Sequence, residues 1–297
     1  MLQLVSRFTA AALSCAMLAA CAAANGTPPT ASAMAIGRRA AEHPHWSKVS
    51  IGTFADPYGV AVDDAGNVYV ADPGSKSIVK IAPGGERTTV GDFSAAAGSK
   101  FDPQGVSIAR APYLLYVADK GSGEIWYVKP NNTVGTIFGR VADPHYPRAV
   151  ASSPSLGAVY AALATRFPLT SKGFVQCLVA DCKLFVKQAF ANPYGVAVDD
   201  GGSLYVADAG AKAVFRVASD GMTNIGRFAD PYGVAVSRNG ADVYVADAGA
   251  KKVFEGTPDG SWTDIGTFSD PYGVAVSSRG DVYVADPGSK NVWKLTP

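Results

Sequence analysis

The chain has 297 residues, 48% of them hydrophobic and 17% charged, with a formal net charge of +1. Such a composition belongs to a globular protein with a substantial core and excludes a disordered chain. A charge balance this close to neutral supplies no unopposed basic field for nucleic acid or an anionic membrane surface.

The first residues read MLQLVSRFTAAALSCAMLAAC, with one basic residue, Arg7, before an Ala-rich apolar run. The run is too short for a spanning helix and has the form of an export signal. Leu18-Ala19-Ala20-Cys21 resembles the bacterial lipobox, in which the cysteine is lipidated and the peptide is cut before it. That resemblance makes residues 1–20 a lipoprotein signal peptide and Cys21 the lipidation site. The mature protein is then exported to the cell envelope, on the outer membrane or periplasmic side, and touches the membrane only through its lipid. The alternative is an ordinary secretory cut after Ala24. Residues 21–45 are rich in Ala, Ser, Thr and Pro without periodicity, which predicts a flexible tether.

From Trp46 the chain repeats itself. WSKVSIGTF (Trp46 to Phe54) leads into FADPYGVAVDDAGNVYVADPGSKSIVKIAPGG at Phe54, and FDPQGVSIARAPYLLYVADKGSGEIWYVKPNN follows at Phe101. A weaker copy, YPRAVASSPSLGAVYAAL, begins at Tyr146, and further copies begin at Phe190, Phe228 and Phe268. A period of about 40 residues, each unit reading as strands, is the signature of propeller blades. GVAV is short and apolar, as an innermost strand buried on both faces should be. VYVAD and IVKIA follow, then a weaker run, with Asp-Gly, Gly-Gly or Asn-Gly turns between them. Four antiparallel strands per unit, in six units, predict an all-β, six-bladed β-propeller over residues 46–297.

The last copy stops at NVWKLTP, without the outer run SWTDIGTF that the preceding copy carries. WSKVSIGTF matches that run. The N-terminal segment is therefore expected to add the outermost strand to the C-terminal blade and close the ring.

Pro-Tyr-Gly-Val-Ala-Val, a Gly turn and Val-Tyr-Val-Ala-Asp together resemble the NHL repeat. The resemblance implies a propeller of that kind and leaves function open, since such propellers include sensors, scaffolds, RNA binders and a few lyases. The third copy departs from it, with Arg148-Ala149 for Tyr-Gly and Leu163 for Asp.

Two rings of residues are expected on one face. Tyr58, Gln104, Arg148, Tyr194, Tyr232 and Tyr272 precede the inner strands and would surround the channel mouth, with His145 beside Arg148. Tyrosine suits sugar or peptide ligands, although it serves equally as packing between blades. The second ring, Asp72, Asp119, Asp208, Asp247 and Asp286, is expected to accept hydrogen bonds from turn N–H groups rather than hold a metal. Lys76, Lys212, Lys251 and Lys290 read as a solvated rim. Cys177 and Cys182 flank a short turn in an exported chain, a spacing that favours a disulfide over a metal site.

These residues point to a non-catalytic binding or scaffold module, a monomer whose channel mouth takes a peptide, glycan or protein of the envelope. No cofactor and no nucleic acid are called for. The competing reading is a metal-dependent lyase or lactonase with its site in the central channel, His145 acting as base and the Asp set holding a divalent cation. Blade three, which breaks the symmetry, is expected to face an anionic group through Arg148.

Overall fold

The computed structural model describes residues 45–93, 97–110, 113–138, 145–153, 157–165, 173–177 and 189–297. The signal segment, Cys21, Cys182 and most of the 164–173 insertion lie outside them, and with Cys182 the expected disulfide. No helix among the described residues is long and apolar enough to cross a membrane.

The protein is an all-β propeller. Its described strands form six four-stranded antiparallel sheets, five of them built from strands consecutive in sequence. Blade one is Val60–Val62, Val68–Asp72, Ser77–Ile81 and Arg87–Thr89. The inner strands of blades two to six are Pro103–Arg110, His145–Ser152, Pro193–Val198, Pro231–Val236 and Gly273–Val276. In blade six the outer strand comes from the other end of the described chain: Ser47–Thr53 pairs antiparallel with Asn291–Thr296. Each inner strand neighbours the inner strands on either side, Gly273–Val276 beside Val60–Val62 included.

The second strands explain why the fold holds. Leu204–Asp208, Val243–Asp247 and Val282–Asp286 are buried at every position, because one face packs on the preceding blade and the other on the following one. The core accordingly divides among the sheets rather than filling a centre. Each hydrophobic cluster is shared by two neighbouring blades: Phe54, Val70 and Ile81 of one meet Tyr283, Ala285 and Val292 of the next. Tyr205 and Val214 likewise meet Val234 and Val245.

Around the axis the blades approach more closely than a side chain allows. A Cβ added at Gly233 would lie 2.3 Å from the Tyr272 carbonyl oxygen, and one at Gly273 would lie 2.3 Å from that of Tyr58. The glycine of each Tyr-Gly-Val step therefore sets the spacing of the inner strands. Blade three carries Ala149 at this step, where the other blades carry glycine.

Candidate functional site

The inner strands leave an axial channel with two mouths. The residues just before the inner strands line the narrower one, a chamber of about 90 Å³ that brings together Tyr58, Gln104, Arg148, Tyr194, Tyr232 and Tyr272. The tyrosine rings form a continuous arc. Tyr58 and Tyr272 have centroids 4.7 Å apart, Tyr272 and Tyr232 stack at 4.4 Å, and Tyr232 and Tyr194 meet at 4.2 Å. Arg148 continues the arc, its guanidinium carbon 3.5 Å from the Tyr194 ring centroid. Its Nη2 donates to the Tyr146 hydroxyl at 2.6 Å, while its buried Nε has no acceptor among the described residues. Burial pushes the Tyr58 hydroxyl up to about 12, helped by Tyr272 and Asp56. Burial also raises Tyr232 and Tyr272, so these phenols remain neutral hydrogen-bonding groups across the physiological range. His145 opens the third inner strand, and its side chain is outside the described residues.

Carboxylates ring this mouth on one side. Asp56, Asp102, Asp230 and Asp270 each precede the proline of their motif, and Asp56 and Asp270 are raised chiefly by burial and secondarily by neighbouring carboxylates. Blades three and four carry Tyr146 and Asn192 at that position. The acidic collar is thus interrupted where Arg148 sits.

The second Asp ring is occupied structurally. Asp208, buried to 1% exposure, accepts from Ala191 N at 2.7 Å, Asn192 N at 2.8 Å and Ala211 N at 3.1 Å. Asp247 repeats this set with Ala229, Asp230 and Ala250. Asp72 and Asp286 replace the last donor with the hydroxyl of Ser75 or Ser289. Asp119 accepts from Asp102 N and Gly121 N. These carboxylates clamp the turn before the inner strand to the turn after the second. Among the described residues no group of three His, Cys, Asp or Glu converges as metal ligands. The donor set expected for a channel cation is therefore missing there, and the Asp ring is spent on backbone N–H groups.

The four exposed rim lysines have a backbone role. Lys76, Lys212, Lys251 and Lys290 are left-handed, with φ of 52°, 52°, 58° and 56°. At three of them the carbonyl accepts the N–H of the phenylalanine that opens a blade motif: Lys290 from Phe54, Lys212 from Phe228 and Lys251 from Phe268.

At the other ends of the inner strands lies a wider cavity of about 540 Å³. Sequence reasoning passed over it. Its walls combine the inner-strand valines with Asp63, Asp64, Asp200, Asp242, Arg238 and Tyr113. Asp63 is engaged by Asn67 N, Asn67 Nδ2 and the Tyr69 hydroxyl. Arg238 forms an ion pair with Asp64 across blade six, and its carbonyl accepts Asp200 N at 3.0 Å. Ser107 and Ser152 pair across blades two and three at 3.0 Å. The signal in the sequence was the polar run that follows each inner strand, Asp63-Asp64, Asp199-Asp200 and Ser237-Arg238-Asn239. Six valines, Val60, Val106, Val150, Val196, Val234 and Val274, line both chambers and form the waist between them.

No protein-family model and no curated protein matches the chain. Solved structures do match its fold. Virginiamycin B lyase from Staphylococcus aureus superposes with a TM-score of 0.63 at 14% identity, covering 85% of this chain and 99% of that one. A gluconolactonase from Xanthomonas campestris gives 0.68 at 15% identity, covering 84% and 88%. A luciferin-regenerating enzyme gives 0.67 at 16% identity, covering 85% and 95%. Identities this low establish a shared propeller and nothing finer.

Proposed function

We propose that this chain is a propeller enzyme of the lyase or lactonase kind, acting on a small polar molecule in the wide chamber. The observation that carries the reading is the chamber itself: about 540 Å³, walled by carboxylates and hydroxyls over an apolar floor, in a fold shared with a lyase and a gluconolactonase. A non-catalytic scaffold needs no such cavity, and the comparisons favour the catalytic alternative over it. The charge balance of the lining, four aspartates against Arg238, suits an uncharged polyhydroxylated ligand or a cationic one and opposes an anion.

The described residues do not fit a resident divalent cation, so the chemistry is assigned to side chains. Asp242 lines the chamber beside Tyr244, whose hydroxyl donates to Glu255 at 3.0 Å. Asp242 is the carboxylate assigned to accept a proton from water or from the ligand. Arg238, tied to Asp64, positions the loop over the ligand. The apolar floor keeps bulk water away from the reacting bond.

The test is turnover by the full chain of a sugar lactone and of virginiamycin B, with and without a chelator. Ring opening of either is expected, lowered about 100-fold by Asp242→Asn. Absence of turnover on both compounds would sink the catalytic reading.

Several further readings belong with this one. The NHL-like repeat and a closed ring of six blades are supported by the order of the sheets and by the pairing of Ser47–Thr53 with Asn291–Thr296. The export signal, the lipid on Cys21 and the Cys177–Cys182 bridge rest on the sequence. Replacing Cys21 by Ser should release the protein from the membrane fraction.

A further inference from the structure

We propose that the narrow mouth is a second binding site, for a carboxylate gripped by Arg148. This site is separate from the wide chamber, because the valine waist lies between them.

Arg148 carries a permanent charge and five N–H donors in a planar fork. Its guanidinium carbon sits 3.5 Å from the Tyr194 ring centroid, so the ring packs against one side of the fork and an acceptor can approach from another. One donor, Nη2, is used on the Tyr146 hydroxyl, and Nε is buried without an acceptor among the described residues. A buried donor left unpaired is costly, and a ligand oxygen at that edge would remove the cost. A carboxylate matches the fork with two oxygens in one plane.

The surroundings select for the same charge. On blades one, two, five and six the mouth carries aspartates before proline, whose fields would repel an anion. On blades three and four the position is Tyr146 and Asn192, so the repulsion is weakest beside Arg148. The chamber, about 90 Å³, admits a carboxylate group and little more. The ligand is therefore either a small free carboxylate or the carboxylate end of a longer molecule whose remainder stays outside.

Titration of the full chain with acetate, with N-acetyl-alanyl-alanine and with its C-terminal amide, followed by tyrosine difference absorbance, tests the site. A saturable response to acetate alone identifies a free small carboxylate. A tighter response to the free-acid peptide identifies a chain terminus. In either case Arg148→Gln should weaken binding at least tenfold, Arg148→Lys should fall between, and Lys212→Gln should bind as wild type. Melting temperatures of the Arg148 variants should fall only by the few degrees that loss of the Tyr146 hydrogen bond and the Tyr194 contact entails, since the guanidinium has no carboxylate partner among the described residues to lose. The inference is overturned by no saturable response to either acid, by equal binding of the amide, or by Arg148→Gln binding like wild type. None of these results depends on turnover in the wide chamber.

Discussion

At the scale of single residues, the same amino acid does opposite work depending on what surrounds it. Asp208 and its counterparts are almost fully buried, yet each is satisfied by backbone N–H groups and acts as a clamp. Asp56 and Asp270 stand a few residues away, partly exposed, with carboxyls raised first by burial and then by other carboxylates. A carboxyl raised on folding keeps its proton longer in the native state than in the unfolded one. The native state is then penalised as pH rises from the unfolded value through the raised one, and the penalty is absent in more acid solution. Asp56→Asn and Asp270→Asn should therefore raise the melting temperature at neutral pH, and the gain should shrink to nothing as pH falls below about 4, the ordinary carboxylate value. Melting curves across that range check it. A constant gain at every pH would mean that the substitution acts through packing instead. The Asp clamp was legible from the sequence, because an Asp before a turn glycine recurs in five copies. The raised pair was not, since its causes, burial first and neighbouring carboxylates second, arise only when the blades pack together.

At the scale of elements, the inner strands are set by what they lack. Their glycines allow a carbonyl of the neighbouring blade to occupy the space of a side chain. Gly233→Ala would place a methyl 2.3 Å from the Tyr272 oxygen, and both strands would have to move. Overpacking of this kind costs about 1–3 kcal/mol, and backbone on both sides leaves little room to relax. Ala149→Gly should instead cost only about 0.5–1 kcal/mol, as expected for glycine in a strand. Denaturant unfolding of the two variants should rank them clearly. If they unfold alike, the spacing of the inner strands does not depend on glycine. The strands themselves were readable in the sequence, since GVAV and VYVAD have the apolar and β-branched pattern of buried strands. The close approach was not, because it involves a residue and a carbonyl some forty positions apart.

At the scale of the whole molecule, the outer strand of blade six is held by contacts that only the folded chain creates. Lys48 Nζ donates to the Thr267 carbonyl at 2.7 Å and lies 3.8 Å from the Phe268 ring centroid and 4.3 Å from that of Trp293. Burial lowers its pKa, with the Asp286 carboxylate opposing the shift. Removing residues 46–53 would delete Ser47–Thr53 and leave the edge of Asn291–Thr296 unpaired. The expected result is a drop of about 5 °C or more in melting temperature, given that 1 kcal/mol moves a domain of this size by roughly 2–4 °C. Calorimetry of the shortened chain beside the full one decides it, and equal melting points would show that the strand adds nothing to the ring.

By itself the sequence determined the propeller class, the positions of the strands and the residues that precede and follow each inner strand. Those features are local: apolar alternation, turn residues and a repeat of fixed period need no knowledge of distant contacts. It also marked blade three as different, through Arg148, Ala149 and Leu163. Only the tertiary structure decided what these residues become. It placed Arg148 on Tyr194 with Nε unpaired among the described residues, put Asp64 within reach of Arg238 across blade six, and divided the channel by a valine waist into unequal chambers. Each of those outcomes depends on how blades curve around a common axis. That curvature is fixed by packing between sheets, and no single copy of the repeat encodes it.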